Sequence, residues 1–184
     1  FKELAEEAIN NGYSIVIFVN YKETMFQLCQ QLAINACIHG DQSLEERNYN
    51  VATFQSNQEK KLIAIIQAGG VGISLHDIHG GHQRMSIISP TWSGQDLVQA
   101  LGRIYRAGAK TPTIQKIVYI GRTYEEQICN LVKSKLVNIT SINDGDIIGP
   151  KFDEQIVKQV NENINNIDES YKYKGLPPHV SKKK

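Results

Sequence analysis

The sequence lacks the features of several large protein classes. It has only three cysteines in 184 residues, Cys29, Cys37 and Cys129, and no Cys-x-x-Cys pair. This number and spacing argue against a disulfide framework or a zinc module and favour a reducing intracellular setting. The longest apolar run, 15–19, is far too short to span a bilayer. A formal net charge of only +1 gives the whole chain no strong attraction for nucleic acid, so any such contact must be local.

Short apolar segments alternate with amphipathic segments along most of the chain. The apolar segments predict four buried strands, at 15–19, 62–66, 85–89 and 116–120. Helical spacing predicts helices at 1–11, 24–32, 43–54, 95–107 and 124–136. Ser43 is the predicted N-cap of the third helix, because Glu46 stands three residues later. This alternation predicts an α/β fold with a parallel sheet, helices on both faces and ligands at the carboxyl ends of the strands.

The composition changes beyond Thr140. Asn, Asp, Ile and Lys then dominate, although a helical stripe runs from Phe152 to Ile164. Pro177-Pro178 and three final lysines follow it. We therefore predict one domain at 1–140 and a C-terminal extension at 141–184, partly helical and then disordered.

The segment from Gln99 to Gly108 contains two closely spaced arginines. On a helix, Gln99, Arg103 and Arg106 would share an arc of about 60°, opposite an apolar side formed by Leu97, Leu101, Ile104 and Tyr105. A planar guanidinium keeps its charge and binds phosphate oxygens through two parallel hydrogen bonds. Gly102 costs a helix about 1 kcal/mol relative to alanine, which is reasonable only if something approaches closely there. The alternative is a pair of arginines on a solvated helix face.

A second segment combines three glycines, Gly69, Gly70 and Gly72, directly after a predicted strand. Such glycines let backbone amides approach a phosphate group or a nucleic-acid backbone. The alternative is a tight turn without a ligand.

Two further features receive structural interpretations. His76, His79 and His82 recur like metal ligands, but Gly80-Gly81 would break a helix that aligned them. We therefore expect a polar surface loop and no metal site. Trp92 is expected to pack at the sheet edge rather than to stack on a base.

Four segments in order resemble motifs four, four-a, five and six of superfamily-two helicases. They are Ile15-Val-Ile-Phe-Val-Asn-Tyr21, His39-Gly40 with Glu46-Arg47 and Phe54-Gln55, Gln67-Ala-Gly-Gly-Val-Gly-Ile-Ser-Leu75, and Gln99-Ala-Leu-Gly-Arg-Ile-Tyr-Arg-Ala-Gly108. The resemblance covers 11–136 and is closest to the Swi/Snf-type and related viral helicase branch. It implies the second RecA-like lobe of a helicase or translocase.

The resemblance also implies site residues. Arg103 and Arg106 would be arginine fingers that reach ATP on another lobe, and Gln99 would assist them. Gly70, Gly72 and Ser74 would join these arginines at the nucleotide. Contacts to a DNA or RNA backbone would come from Asn20, Tyr21, His39, Gly40, Gln67 and Gly69. The sequence also departs from the family pattern. Ser74 stands where the family usually has Asn or Asp, and Ile65-Ile66 replaces a pair of hydroxyl residues. Ala109 replaces a Gln, and the loop between Leu75 and Met85 is longer than usual.

The sequence contains no Gly-Lys-Thr phosphate loop and no Asp-Glu-x-His-type acidic motif. ATP and Mg²⁺ would therefore be bound mainly by a first RecA-like lobe absent from this sequence, and the chain alone would be inactive. We expect an intracellular protein, in the cytoplasm, the nucleus or a viral factory, with no membrane partner.

Two rival function classes remain at this stage. A Rossmann-type nucleotide-binding domain is disfavoured, because the glycines lack the full G-x-G-x-x-G spacing and no acidic ribose partner follows. A catalytically silent nucleic-acid or protein interaction module with the same fold is the second alternative. The intact Gln99, Arg103 and Arg106 argue against it.

Overall fold

The structure is a computed structural model that describes residues 1–68 and 72–142, with side chains through Lys133. A first compact unit spans Phe1–Ile139. The helical stripe and the tail predicted after residue 142 lie outside the described residues, so the domain boundary stays a prediction.

The described residues form one parallel sheet between helices. The elements in chain order are α1 (Lys2–Asn10), β1 (Ser14–Val19), α2 (Lys22–Leu32), β2 (Ala36–Ile38), α3 (Leu44–Gln55), β3 (Lys61–Ile65), β4 (Arg84–Ile88), α4 (Gly94–Ile104), β5 (Thr113–Ile117) and α5 (Tyr124–Ile142). The strand order is β2-β3-β1-β4-β5, and every pairing is parallel. The predicted α/β fold with a parallel sheet is confirmed.

Both faces of the central strand β1 are buried, which explains its continuous apolar run. On one face, Ile15 and Ile17 belong to a core cluster with buried residues of α1 and α2, such as Ala5 and Met25. Phe18 points to the opposite face and is also fully buried. α4 contacts β4, and the buried side chains of α4 do not belong to the core cluster that contains Ile15 and Ile17. Helices therefore cover the second face of the sheet as well.

The amino terminus of α3 has the predicted cap. The Glu46 amide donates to Ser43 Oγ at 3.1 Å, and the Ser43 amide donates to Glu46 Oε2 at 3.0 Å. This reciprocal pair satisfies two amides that the first helical turn leaves without partners.

Two strands differ from the prediction. β2 was not predicted, because three residues are too few for a periodic signal. Asn50 Nδ2 donates to the Cys37 carbonyl of this edge strand at 2.8 Å. β5 begins and ends three residues earlier than predicted. Its position is set by pairing with β4, where Ile117 lies opposite Ile88, and not by the apolar residues of β5 itself, which are half-exposed.

A buried cation links the sheet to α3. Arg84, at the start of β4, is fully buried, and its Nη2 donates to the carbonyls of Phe54 and Gln55 at 3.2 and 3.5 Å. Its guanidinium also lies 4.2 Å from the centre of the Phe54 ring. Burial lowers the pKa of Arg84 to about 10, an effect that the charge of Asp77 opposes, so Arg84 stays charged at neutral pH.

The parallel arrangement brings several loops to one edge of the sheet. Asn20 follows β1, His39 follows β2, Gln67 follows β3 shortly after its end, and Ser89 follows β4. This carboxyl edge is where parallel sheets bind ligands. Within the described residues, no helix combines the length and the apolarity that a membrane crossing requires.

Candidate functional site

The two arginines do not share a helix. α4 ends at Ile104, and Tyr105 has extended backbone angles, φ −92° and ψ 102°. The predicted helix at 95–107 is therefore too long, and the predicted helical face is wrong for Arg106. Gln99 and Arg103 lie half-buried on α4, whereas Arg106 is exposed on the loop that follows. Tyr105 is 58% exposed, contrary to its predicted place on the apolar side, because it lies beyond the helix.

The structure nevertheless brings both arginines to the segment that follows the glycines. Arg103 Nη1 donates to the Ile73 carbonyl at 3.3 Å, and the Leu75 amide donates to the Arg103 carbonyl at 2.9 Å. Arg106 Nη1 donates to Ser74 Oγ. Ser74, Arg103 and Arg106 therefore lie together, although a loop replaces part of the predicted helix, and the roles that the resemblance implies for them stay predictions.

Ser74 is also held from the side of α3. Gln55, at the last position of α3, is 8% exposed, and its Nε2 donates to the Ser74 carbonyl at 2.6 Å. The main chain of Ser74 is thus fixed by a buried amide, while its hydroxyl accepts from the exposed guanidinium of Arg106. Sequence analysis assigned no role to the Gln55 side chain, and nothing in its local spacing indicates this contact.

The site carries a concentration of positive charge. Burial lowers the pKa of Arg103, and the nearby charge of Arg106 lowers it further. Two guanidinium groups that repel each other are stabilised by an anion between them. Chemically, the site suits phosphate oxygens better than a neutral ligand.

The glycines show where something can approach from outside. A Cβ added to Gly102, on the exposed side of α4, would meet no heavy atom within 4 Å in the described part of the chain, apart from its own stretch of the helix. Gly72 is exposed and has a φ of +68°, as a turn after a strand requires. The predicted site residues Gly69 and Gly70 lie outside the described residues.

The predicted nucleic-acid residues at the ends of β1 and β3 differ in their surroundings. Asn20 is half-buried, and its Nδ2 donates to the Pro90 carbonyl at 2.6 Å, which ties the end of β1 to the end of β4. Tyr21 is 67% exposed immediately before α2. Gln67 is exposed beyond β3. Asn20 therefore has a structural contact, whereas Tyr21 and Gln67 face solvent.

The predicted residues at the end of β2 form a separate group. The His39 ring meets the ring of Phe26 edge-on, with 5.9 Å between the centroids. The His39 carbonyl accepts from Arg47 Nη2 at 3.2 Å, and Gly40 beside it is exposed. These contacts hold the turn rigidly at the same carboxyl edge as Asn20.

Asp77, which organises the next loop, was not predicted from the sequence as a site residue. Asp77 is fully buried, and its carboxylate accepts hydrogen bonds from the amides of His79, Gly80 and His82 and from the Thr111 hydroxyl. Burial raises its pKa, but these four hydrogen bonds lower it more, so the net shift is downward. An Asp three residues before a pair of glycines is the signal that could have found this turn.

The histidines at 76–82 and Trp92 make contacts that the sequence did not predict. The amides of His79 and His82 bind Asp77, and the 1–68 and 72–142 ranges contain no group of three or more His, Cys, Asp or Glu residues that could hold a metal ion. Trp92 meets the ring of Tyr124 edge-on at 5.0 Å and stays 49% exposed.

Comparisons with known proteins identify the family of the chain and its fold. Residues 1–108 match the helicase conserved C-terminal domain. The chain is 47% identical over 163 residues to a putative ATP-dependent RNA helicase, L364, of Acanthamoeba polyphaga mimivirus, with 88% of this chain and 29% of that protein covered. It is 24% identical over 165 residues to the RAD54-like DNA repair and recombination protein of Drosophila grimshawi, covering 85% of this chain and 20% of that protein.

A solved structure shows the same fold. The C-terminal part of the Fun30 ATPase domain superposes with a TM-score of 0.59 at 18% identity, over 89% of this chain and 51% of that one. The chain thus spans less than a third of the curated relatives, 29% and 20%. Since the family match covers residues 1–108 of 184 and the fold agrees, the chain belongs to the helicase conserved C-terminal domain family, as a RecA-like lobe of a superfamily-two helicase.

Proposed function

We propose that this chain is the second motor lobe of an ATP-dependent nucleic-acid helicase or translocase of the Swi/Snf-type and related viral branch. It supplies arginine fingers to ATP that a first RecA-like lobe holds. The observation that carries the proposal is the exposed Arg106 guanidinium on Ser74, directly after α4 and beside Arg103. The family match supports the same assignment.

Arg106 acts on charge that develops during phosphoryl transfer. Its guanidinium is exposed and bonded only to a neutral hydroxyl among the contacts described above, so phosphate oxygens can replace that hydroxyl at small cost. A guanidinium that meets charge mainly in the transition state raises turnover more than affinity. Arg103, tied to Ile73, holds the end of α4 and adds a second positive charge, while Gln99 faces the phosphates one turn earlier.

This lobe offers little to the metal that accompanies ATP. The described residues contain no acidic or histidine cluster that fits Mg²⁺. We therefore assign the Mg²⁺ ligands and the main phosphate cradle to the first lobe, and only Gly70, Gly72, Ser74 and the arginines to the nucleotide on this side. The isolated chain is accordingly inactive.

A nucleic-acid strand is proposed to cross the carboxyl edge of the sheet. Exposed Tyr21, Gly40 and Gln67 would meet its backbone, with His39 and Asn20 beside them. Gly69, which lies outside the described residues, is assigned to the same backbone by the resemblance alone. Backbone contacts do not distinguish sequences. They suit either DNA or RNA, and the two curated relatives carry one name of each kind.

The test uses the full-length protein that contains this chain. Arg106→Ala should lower nucleic-acid-stimulated ATP turnover by about 10³, while ATP affinity stays within a modest factor. Arg106→Lys should restore little, because a point charge cannot replace the planar fork. Lys60→Ala is the matched control, since it removes an exposed cation at the opposite edge of the sheet, before β3.

Melting temperature separates catalysis from folding. Arg106 is exposed, so its substitution should change the free energy of unfolding by no more than about 0.5 kcal/mol. Normal turnover in Arg106→Ala would refute the proposed function. Lost turnover together with a large fall in melting temperature would make Arg106 a structural residue instead.

A further inference from the structure

The loop that carries Arg106 is a short, closed structure. We call residues 105–109 the arginine loop. The Ala109 amide donates to the Arg106 carbonyl at 3.1 Å, and Gly108 has a φ of +96°. A hydrogen bond between the ends of four residues, with positive φ at the third, is the geometry of a type II turn, which strongly favours glycine there. Arg106 therefore opens a tight turn and does not swing on a flexible connection.

The arginine loop is bound at both of its ends to one other segment. Before the loop, the Leu75 amide donates to the Arg103 carbonyl at 2.9 Å. After the loop, the Lys110 amide donates to the Asp77 carbonyl at 2.8 Å. Leu75 and Asp77 are two residues apart, with a bend at His76 between them, so one short segment fixes both the entry and the exit of the loop.

The Asp77 carboxylate is the group that holds this exit in place. Oδ1 accepts from the amides of His79 and Gly80 at 3.1 and 2.9 Å. Oδ2 accepts from the His82 amide and from the Thr111 hydroxyl, both at 3.0 Å. Thr111 directly follows Lys110, so the side chain and the main chain of Asp77 bind two consecutive residues beyond the arginine loop.

We propose that Asp77 is a positioning residue for Arg106. This inference rests on the proposed function and names a residue that acts through the finger without touching nucleotide. Asp77 fixes the turn at 78–82 and the exit of the arginine loop together, and thereby fixes where the Arg106 guanidinium stands. A displacement of about 1 Å at such a group costs about 10²-fold in rate, although the charge itself is unchanged.

The geometry requires a carboxylate at this position. Four donors converge on two oxygens, two on each, and an ionised carboxylate offers only acceptors. In Asp77→Asn, either orientation of the amide turns an NH₂ group toward two donors. Two hydrogen bonds would be lost while the size of the side chain is kept, which makes this the sharpest substitution.

The experiment is a double-mutant cycle in the full-length protein. We measure kcat and KM for ATP in wild type, Asp77→Asn, Arg106→Lys and the double variant. Arg106→Lys is chosen over Arg106→Ala because its retained positive charge should leave enough turnover to measure. Asp77→Asn should lower kcat by about 10- to 100-fold and leave KM nearly unchanged. In the Arg106→Lys background, Asp77→Asn should lower kcat little further, because both substitutions impair the same interaction of residue 106 with the phosphoryl group. Effects that multiply would overturn the inference.

A second pair of variants covers the case in which Asp77→Asn does not fold. Thr111→Val removes one donor to Asp77 Oδ2 and keeps the carboxylate, whereas Thr111→Ser keeps the hydroxyl. Thr111→Val should lower kcat in the same non-additive way, and Thr111→Ser should restore it. Wild-type kcat in Thr111→Val, with Arg106→Ala inactive, would reject Asp77 as a positioning residue and leave the proposed function standing. Normal turnover in Arg106→Ala would instead reject the proposed function itself.

Discussion

Gly102→Ala should affect folding and coupled activity in opposite directions. Gly102 lies inside α4 on its exposed side, and within the described residues no heavy atom outside its own stretch of the helix stands within 4 Å of an added Cβ. Alanine stabilises a helix interior by about 1 kcal/mol relative to glycine. For a domain of this size that corresponds to a rise in melting temperature of about 2 to 4 °C. Calorimetry or circular dichroism of the 184-residue chain measures it.

The same methyl group should harm the full-length protein. If the first lobe approaches α4 at Gly102 when the motor closes, an added methyl group overpacks that contact at a cost of about 1 to 3 kcal/mol. Turnover would then fall by about 5- to 150-fold. Gln95→Ala, also exposed on α4, is the control and should keep wild-type turnover. A lower melting temperature, or full turnover in Gly102→Ala, would refute the reasoning that this glycine serves a close approach.

Three further predictions follow from the buried charges and from the proposed division of the active site between two lobes. Arg84→Met should lower the free energy of unfolding by about 2 to 3 kcal/mol in urea denaturation, because the carbonyls of Phe54 and Gln55 lose their donor; a change within about 0.5 kcal/mol would contradict this. The hydrogen bonds to the Asp77 carboxylate stabilise the fold fully above its ordinary pKa of 3.8, and this stabilisation is lost as pH falls through the lower folded pKa. The difference in free energy of unfolding between wild type and Asp77→Asn should therefore shrink on acidification. A difference that does not change with pH would contradict this. The chain alone should release no phosphate from ATP above background and should bind nucleic acid weakly, with an affinity that falls steeply as salt rises; robust hydrolysis or salt-insensitive binding would contradict these two expectations.

Local chemistry was sufficient to predict the central strand of the sheet and the N-terminal cap of α3. The run at 15–19 predicts a strand buried on both faces, and β1 is such a strand, because only the centre of a parallel sheet demands apolar residues on both sides. Ser43 and Glu46 form their capping box within four consecutive residues, so no distant contact is needed.

Tertiary contacts decided what the sequence could not predict. Helical spacing continues through Arg106 in the sequence. In the structure, α4 ends before Arg106, because the Leu75 amide donates to the Arg103 carbonyl and the chain turns at Gly108. The role of Asp77 depends on Thr111, a residue distant in sequence. Periodicity contains no information on such pairings, because it describes one segment at a time.

The position of β1 has a consequence for how the chain acquires its fold. β1 is synthesised before the two strands with which it pairs, β3 and β4, so Ile15 must wait for Lys61 and for Met85. Contacts between residues so far apart make folding slow, since long loops close before any pairing stabilises them. During synthesis on the ribosome, an uncharged β-branched run stays exposed until β3 emerges, and such a run is prone to aggregate. Chains that terminate before residue 61 should therefore accumulate in inclusion bodies or require chaperones, whereas chains that extend past β4 should not.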